Sequence, residues 1–405
     1  MRRQYLRFFF TIGSSQKLTP TIRIPNYQFC QAKQADDYRS ILFKLNQIHQ
    51  RKQSDHKQVK SLLQQLKPYL PQFENQELRE LLSISFAQQI SDENYAQKIF
   101  DRTTQLYLEQ QATLTETLDI ISLLVPGDYS KQFYQQSFNF VAAVSQAPEL
   151  TPIQIGLAMF IYGQISQYTK CNNKDVENSL ILNFKQSIDH FKSYDLKNFA
   201  FGLILARIKR KDIFEILERQ SLVIEMEFQD LIRVATGIAL FGNGSPEFWK
   251  LLEEQSIKNI PTTDPQNMTT LFMLYKQLGH GTPEIFKLLE QYFIQRYVEF
   301  SNIQKLQMFS SFAKIRYPSS AIFKLFFKDI VGIIQSVNIT AVQMLIFDCQ
   351  KIFPQFPKQV QQFFINFILK HYQKFNPTIK SKLYDSFQEQ KLLTEELEVA
   401  LFKKK

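Results

Sequence analysis

Glycine is scarce in this chain, with 11 residues in 405, and no linker is rich in Gly or Ser. No stretch alternates apolar and polar residues for long enough to make a strand, so β architectures are set aside. Cysteine is rarer still. Cys30, Cys171 and Cys349 lie far apart, which excludes a disulfide framework and the paired-cysteine spacing of a zinc site. The five histidines show no metal-ligand spacing. Nucleophile elbow, metal-binding His-Glu-x-x-His and phosphate-binding Gly-Lys-Ser/Thr loop are all missing. We therefore expect no catalytic residues, no metal, no cofactor and no enzyme activity. No uninterrupted apolar run approaches the ~18 residues that span a bilayer, so no transmembrane segment is expected.

What the chain does contain is a repeat. Gly242-Asn243-Gly244-Ser245-Pro246-Glu247-Phe248-Trp249-Lys250-Leu251-Leu252-Glu253 returns 37 residues later as Gly279-His280-Gly281-Thr282-Pro283-Glu284-Ile285-Phe286-Lys287-Leu288-Leu289-Glu290. Each block reads as the end of one helix and the start of the next. Gly ends a helix, Ser245 or Thr282 caps the following one, and Pro246 or Pro283 takes the first helical position, where a missing N–H costs nothing. The Gly-x-Gly pairs are not a nucleotide loop, because no strand precedes them. Segments 230–241 and 267–278 carry helical apolar spacing before each turn, so one unit is helix, turn, helix.

The period spreads outward. Leu81, Leu118, Ile155, Leu196, Leu231, Met268 and Leu306 mark the first helix of successive units. Trp249, Phe286, Phe323 and Val360, and beside them Leu252, Leu289, Phe326 and Phe363, form ladders along the second helices. The one long step, 41 residues between Ile155 and Leu196, falls where Tyr168 to Asp175 reads as an extended polar turn. A fixed period of this size marks stacked supersecondary units. The expected fold is all-α, an α-solenoid of about eight or nine helical-hairpin repeats with a period near 37 residues. It covers 36–375, followed by a C-terminal helical cap and basic tail over 376–405.

Residues 1–35 stand apart. They hold six basic residues and no acid, with Tyr5, Leu6, Phe8, Phe9, Phe10 and Ile12 interleaved among the arginines. That is the makeup of a mitochondrial transit peptide, the alternative being a disordered basic tail. A mitochondrial matrix location is expected.

The formal net charge of +10 is uneven. From 215 to 299 twelve acids face seven bases, whereas from 301 to 382 eleven bases face only Asp329 and Asp348. Some bases follow the repeat: Lys276, Lys314 and Lys351 near the ends of first helices, and Lys250, Lys287 and Lys324 on second helices. Arg207, Lys209, Arg210 and Lys211 form a second cluster in a turn. Rows of this kind suit a sugar–phosphate backbone, each contact releasing a counterion, although an ordinary solvated face uses lysine in the same way. The candidate RNA-binding residues are Lys314, Arg316, Lys324, Lys351, Lys276 and Lys287, with Arg207, Lys209, Arg210 and Lys211 as a second patch. Tyr275 and Tyr317 are candidate base-stacking groups.

Units such as 300–318, followed by Ile322-Phe323-Lys324-Leu325, resemble the helical repeats of FAST-kinase-like and RAP-domain organellar proteins. They are also similar to the repeat proteins of the kinetoplastid RNA-editing substrate-binding complex. The likeness covers roughly 75–370. It implies a mitochondrial RNA-binding protein acting in processing, stability or translation of mRNA or rRNA, with protein partners in a ribonucleoprotein. One departure stands out: 376–405 is too short for the α/β module that closes RAP-domain relatives. The rival reading is a structural scaffold or subunit of the mitoribosome or another mitochondrial assembly; a cytosolic repeat adaptor is a third.

Overall fold

A computed structural model describes residues 38–50, 56–87, 92–170, 172–241, 244–279, 281–317 and 319–402. Residues 1–35, on which the transit-peptide expectation rests, lie outside these, as do Cys30, Cys171, His280 and Lys403 to Lys405. Every regular element among the described residues is helical. The chain divides into two compact units, the first ending at Met226 and the second beginning at Glu227.

In the first unit one layer consists of α1 (Tyr38–Gln50), α3 (Asn75–Ala87), α5 (Leu114–Leu124), α7 (Pro152–Thr169) and α9 (Ser193–Leu205), each packed on the next. The intervening helices are α2 (His56–Leu66), α4 (Glu93–Leu108), α6 (Lys131–Ser145), α8 (Lys174–Ser187) and α10 (Lys211–Val223). The second unit repeats the plan. Its first layer is α11 (Phe228–Phe241), α13 (Pro265–Leu278), α15 (Asn302–Lys314), α17 (Ile339–Cys349) and α19 (Pro377–Glu389). The others are α12 (Pro246–Asn259), α14 (Pro283–Gln295), α16 (Ser320–Ser336), α18 (Lys358–His371) and α20 (Glu395–Phe402). First-layer helices of this unit begin at 228, 265, 302, 339 and 377. Residues 377–402 thus carry a helix pair of the same form as those before it.

Composition explains which layer is inside. The first-layer helices are buried on nearly all sides and mostly apolar, as in α15, where 306–313 is buried without a break, Gln307, Ser310 and Ser311 included. The second-layer helices bury one stripe only, as in α14 with Ile285, Leu289 and Phe293. A helix buried on all faces has a continuous apolar run, and a surface helix a single stripe. All seven first-helix markers from Leu81 to Leu306 are at most 1% exposed. At about 1.5–3 kcal/mol for each fully buried large apolar side chain, this layer dominates the packing energy.

Helix boundaries follow their caps. Ser245 accepts from the Phe248 N–H, Asp264 from Asn267, and Ser301 from Gln304 within a capping box. Among the described residues, five of the nine returns from second helix to next first helix use a short 3-10 turn and an extended, buried residue: Phe73, Phe191, Thr263, Phe300 or Phe375. Four of the five are phenylalanine, a repeat mark that the ladders above pass over.

Two details differ from the sequence reading. The long step is taken up mainly by helix. Tyr168 and Thr169 belong to α7, an 18-residue helix that ends at Lys170 in the left-handed conformation. The second-helix ladder also slips by one at its last rung. The starts at 246, 283 and 320 are followed by 358, so Val360 matches Ile322, and Phe364 is buried where Phe363 was expected.

In the first unit α7 and α9 approach each other closely at two glycines. A Cβ on Gly163 would lie 2.4 Å from the Gly202 carbonyl oxygen, and one on Gly202 would lie 2.2 Å from that of Met159. Only glycine lets the two backbones meet this closely.

Candidate nucleic-acid interface

The candidate site of the second unit is built on the C-terminal ends of first-layer helices. α15 ends in a Schellman motif. Arg316 N–H bonds to the Ala313 carbonyl at 3.1 Å and Tyr317 N–H to the Phe312 carbonyl at 3.0 Å. Arg316 therefore occupies the left-handed position, φ 57°, where Gly279 stands at φ 67° after α13. The motif also fixes Tyr317. Its ring lies against Phe312 at 5.5 Å, and its hydroxyl donates to Glu290 at 3.0 Å.

Beside this turn is a cleft of about 700 Å³. Its walls include Arg316, Tyr317 and Phe323, with Lys351 just beyond α17 and Lys382 on α19. Asp385 and Glu389, also on α19, line it from the same helix as Lys382. Among the described residues, no carboxylate lies within ion-pair distance of Arg316, Lys351 or Lys382.

Beneath the cleft a polar network ties three first-layer helices together. Lys276 Nζ of α13 donates to Asp348 Oδ2 of α17 at 2.5 Å and to Ser310 Oγ of α15 at 3.1 Å. The Ser310 hydroxyl in turn donates to Asp348. The Lys276 and Asp348 side chains are 4% and 0% exposed. This corrects one expectation: Lys276 keeps its place in the lysine row but faces the core, and a strand on the surface has no access to it. Lys314 is next in the row. Its ammonium is 3.9 Å from Asp348 Oδ1 and 5.0 Å from the Phe347 ring centre, with Lys382 5.5 Å from the same ring. Burial lowers the Lys314 pKa from its ordinary value. Asp348 opposes that shift, while Lys276, Lys351 and Lys382 add to it. Asp348, already held by Lys276, thus also faces Lys314, which Lys351 and Lys382 crowd.

Lys314, Arg316 and Lys351 are therefore brought together, with Lys382 added by α19. The second-helix row stays apart: Lys287 and Lys324 are exposed on α14 and α16, and Lys250 pairs weakly with Glu254 at 3.8 Å. Tyr275 is buried, donating to Ser256 at 3.1 Å, and is no stacking surface. Lys382 was missed because the repeat register was not continued past 375. Its place five residues after Pro377, on a helix one step from Lys351, was the available signal.

The first unit contains the second patch. α9 ends in the same motif, with Arg207 left-handed at φ 58° and Ile208 N–H bonded to the Leu203 carbonyl at 2.9 Å. Here acids intervene. Arg210 grips Asp212 through two bonds of 2.9 Å, Lys185 reaches the same carboxylate at 3.0 Å, and Lys211 pairs with Glu215 at 3.3 Å. Hydrogen bonding from Arg210 holds the Asp212 carboxyl well below the usual carboxylate range. Lys209 is exposed.

Among the described residues, no group of three or more His, Cys, Asp or Glu side chains is arranged to hold a metal ion, and no helix is long and apolar enough to cross a membrane. Cys349 is buried, which pushes its thiol pKa well up. No protein-family model and no curated protein matches this chain.

Proposed function

We propose that this protein is a mitochondrial RNA-binding α-solenoid of helical hairpins, with a step near 37 residues, acting in processing, stability or translation of organellar mRNA or rRNA. The observation that carries the reading is the set of basic side chains contributed by the ends of α15 and α17 and by the middle of α19. Arg316, Lys351 and Lys382 line one cleft with Asp385 and Glu389, three bases against two acids, and Lys314 stands 3.9 Å from an Asp348 that buried Lys276 already holds. Like charges brought together in a folded protein repel, and a bound polyanion relieves that repulsion while releasing counterions. Half-buried Tyr317 and Phe323 in the same cleft offer faces to unstacked bases. Catalysis is not part of the proposal. The matrix address rests on the composition of 1–35 and is checked by whether that segment carries a reporter into mitochondria.

The binding test is titration of single-stranded RNA across a salt series. Alanine at Lys314, Arg316 and Lys351 together is expected to flatten the slope of log K against log salt by about 2, at ~0.7 per lost single-strand contact. An unchanged affinity and slope sinks the assigned surface. A scaffold in a mitochondrial assembly is the second reading. The acid-matched patch around Arg210 favours it, since a neutralised mixed-charge surface suits a protein partner better than RNA.

A further inference from the structure

We infer that the cleft bounded by Arg316, Tyr317, Lys351 and Lys382 receives a nucleotide carrying a phosphomonoester, such as the terminal phosphate of an RNA, in preference to a phosphodiester within a strand. The inference rests on the RNA-binding reading and narrows it.

Three observations lead there. The cations are clustered and not strung out. A strand distributes its single negative charges along its length, whereas these cations, one from each of three successive helix pairs, converge on one cleft. Here Arg316, Lys351 and Lys382 share one cleft, with Lys314 alongside Lys382 over the Phe347 ring. A terminal phosphate, with a second ionisation near pH 6 and close to two negative charges at neutrality, answers a clustered surplus better than a single diester does.

The size and the opposite lining agree. A volume of about 700 Å³ falls within the ~300–1,000 Å³ of small-ligand sites. Asp385 and Glu389 also line the cleft. They offer acceptors to the amino and imino edge of a base. Tyr317 is held in place by Glu290 and by the turn at Arg316, and Phe323 shares the lining.

The experiment uses the full chain and four ligands: one ten-nucleotide RNA with a 5′-phosphate, the same RNA with a 3′-phosphate, the same RNA with hydroxyl ends, and a free nucleoside monophosphate. At pH 7.5 at least one phosphorylated RNA is expected to bind about tenfold or more tightly than the hydroxyl-ended RNA. That preference should shrink as pH falls through about 6 and vanish in the Lys351→Gln, Lys382→Met double variant, whose helical signal checks folding. Equal binding of phosphorylated and hydroxyl-ended RNA overturns the inference and leaves the RNA reading standing. Binding of the free mononucleotide without binding of RNA keeps the phosphomonoester site and overturns its RNA source. Failure of all four ligands removes both readings.

Discussion

Two helix ends in this protein use the same turn for opposite electrostatic results. After α9 and after α15 an arginine takes the left-handed position of a Schellman motif, Arg207 in the first unit and Arg316 in the second. Backbone geometry is shared to within 1° in φ, and both turns lie in basic stretches of sequence. Around Arg207 three neighbouring bases are matched: Arg210 and Lys185 by Asp212, and Lys211 by Glu215. Around Arg316 one nearby acid, Asp348, is sealed in the core with Lys276, while Asp385 and Glu389 line the cleft without, among the described residues, an ion pair to Arg316, Lys351 or Lys382. Counting charges along a sequence does not separate the two cases; where each carboxylate points does.

The largest effect that breaks the comparison comes from Asp348→Ala. It leaves Lys276 buried without its partner, which costs about 3–5 kcal/mol and should lower the thermal midpoint of the second unit by many degrees. The double variant Lys276→Met, Asp348→Leu should recover most of that loss, because an apolar pair of similar volume removes the unpaired charge. If the single variant melts like the parent, the buried network does not hold these helices together. In the first unit the matching change, Asp212→Asn, touches an exposed pair with side chains 40% and 46% accessible and should cost under about 1 kcal/mol.

The Asp212→Asn variant also sharpens the comparison in binding. It frees Arg210 and Lys185 together, making the first turn resemble the second. RNA affinity at low salt should rise several-fold, and the gain should disappear near 1 M salt, where screening acts over about 3 Å. In the parent, Asp212 stays ionised to well below the ordinary carboxylate range. The pairing is therefore intact at neutral pH and is lost only as pH falls through that depressed value. Mild acidification to pH 5 should not unmask the first turn. Affinity there that rises only on acidification contradicts the assigned pairing.

Much of this was legible in the sequence, and the limits are physical. The helices and their inner layer follow from apolar spacing, because a first-layer helix must be buried on nearly every side whatever its neighbours are. Lys314 and Lys351 stand at equivalent positions of successive helix pairs, so the repeat register marks them, with Arg316 beside Lys314 in the same turn. The role of Lys276 was hidden. Its register is the same as theirs, but its ammonium turns inward to an aspartate 72 residues away, and no local pattern reports such a pairing. Lys382 was hidden for the opposite reason: its helix pair has the form of a repeat, but its sequence lacks the Gly-Pro turn that identifies the better-preserved units. The acid-matched turn at Arg210 shows a third limit. Asp212 is two residues away in sequence, and only the side-chain geometry makes the contact bidentate.

Alkaline titration gives a smaller effect. Burial and neighbouring lysines depress the Lys314 pKa, so its charge is lost below the ordinary lysine range as pH rises. The folded state bears the strain of the charged form at neutral pH, and that strain is relieved as pH climbs through the depressed value. RNA affinity should therefore begin to fall before ordinary lysines titrate, and Lys314→Arg should move that limb to higher pH because guanidinium keeps its proton. Identical alkaline limbs in parent and variant exclude Lys314 from the binding surface.

The smallest change separates the two turns most cleanly. An L-residue in the left-handed conformation costs roughly 1 kcal/mol more than glycine, part of which is offset by the extra freedom glycine gives the unfolded chain. Arg316→Gly and Arg207→Gly should each therefore stabilise the protein by a few tenths to about 1 kcal/mol. Their effects on binding should differ. Arg316→Gly removes a cation from the cleft and should weaken RNA several-fold while flattening the salt slope by about 0.7; Arg207→Gly should leave both nearly unchanged. A gain in stability coupled to a loss of binding at Arg316 alone would mean that the strained arginine is retained for its charge. Equal losses at both turns would mean that RNA contacts the two units alike, and the carboxylates around Arg210 would then not govern where it binds.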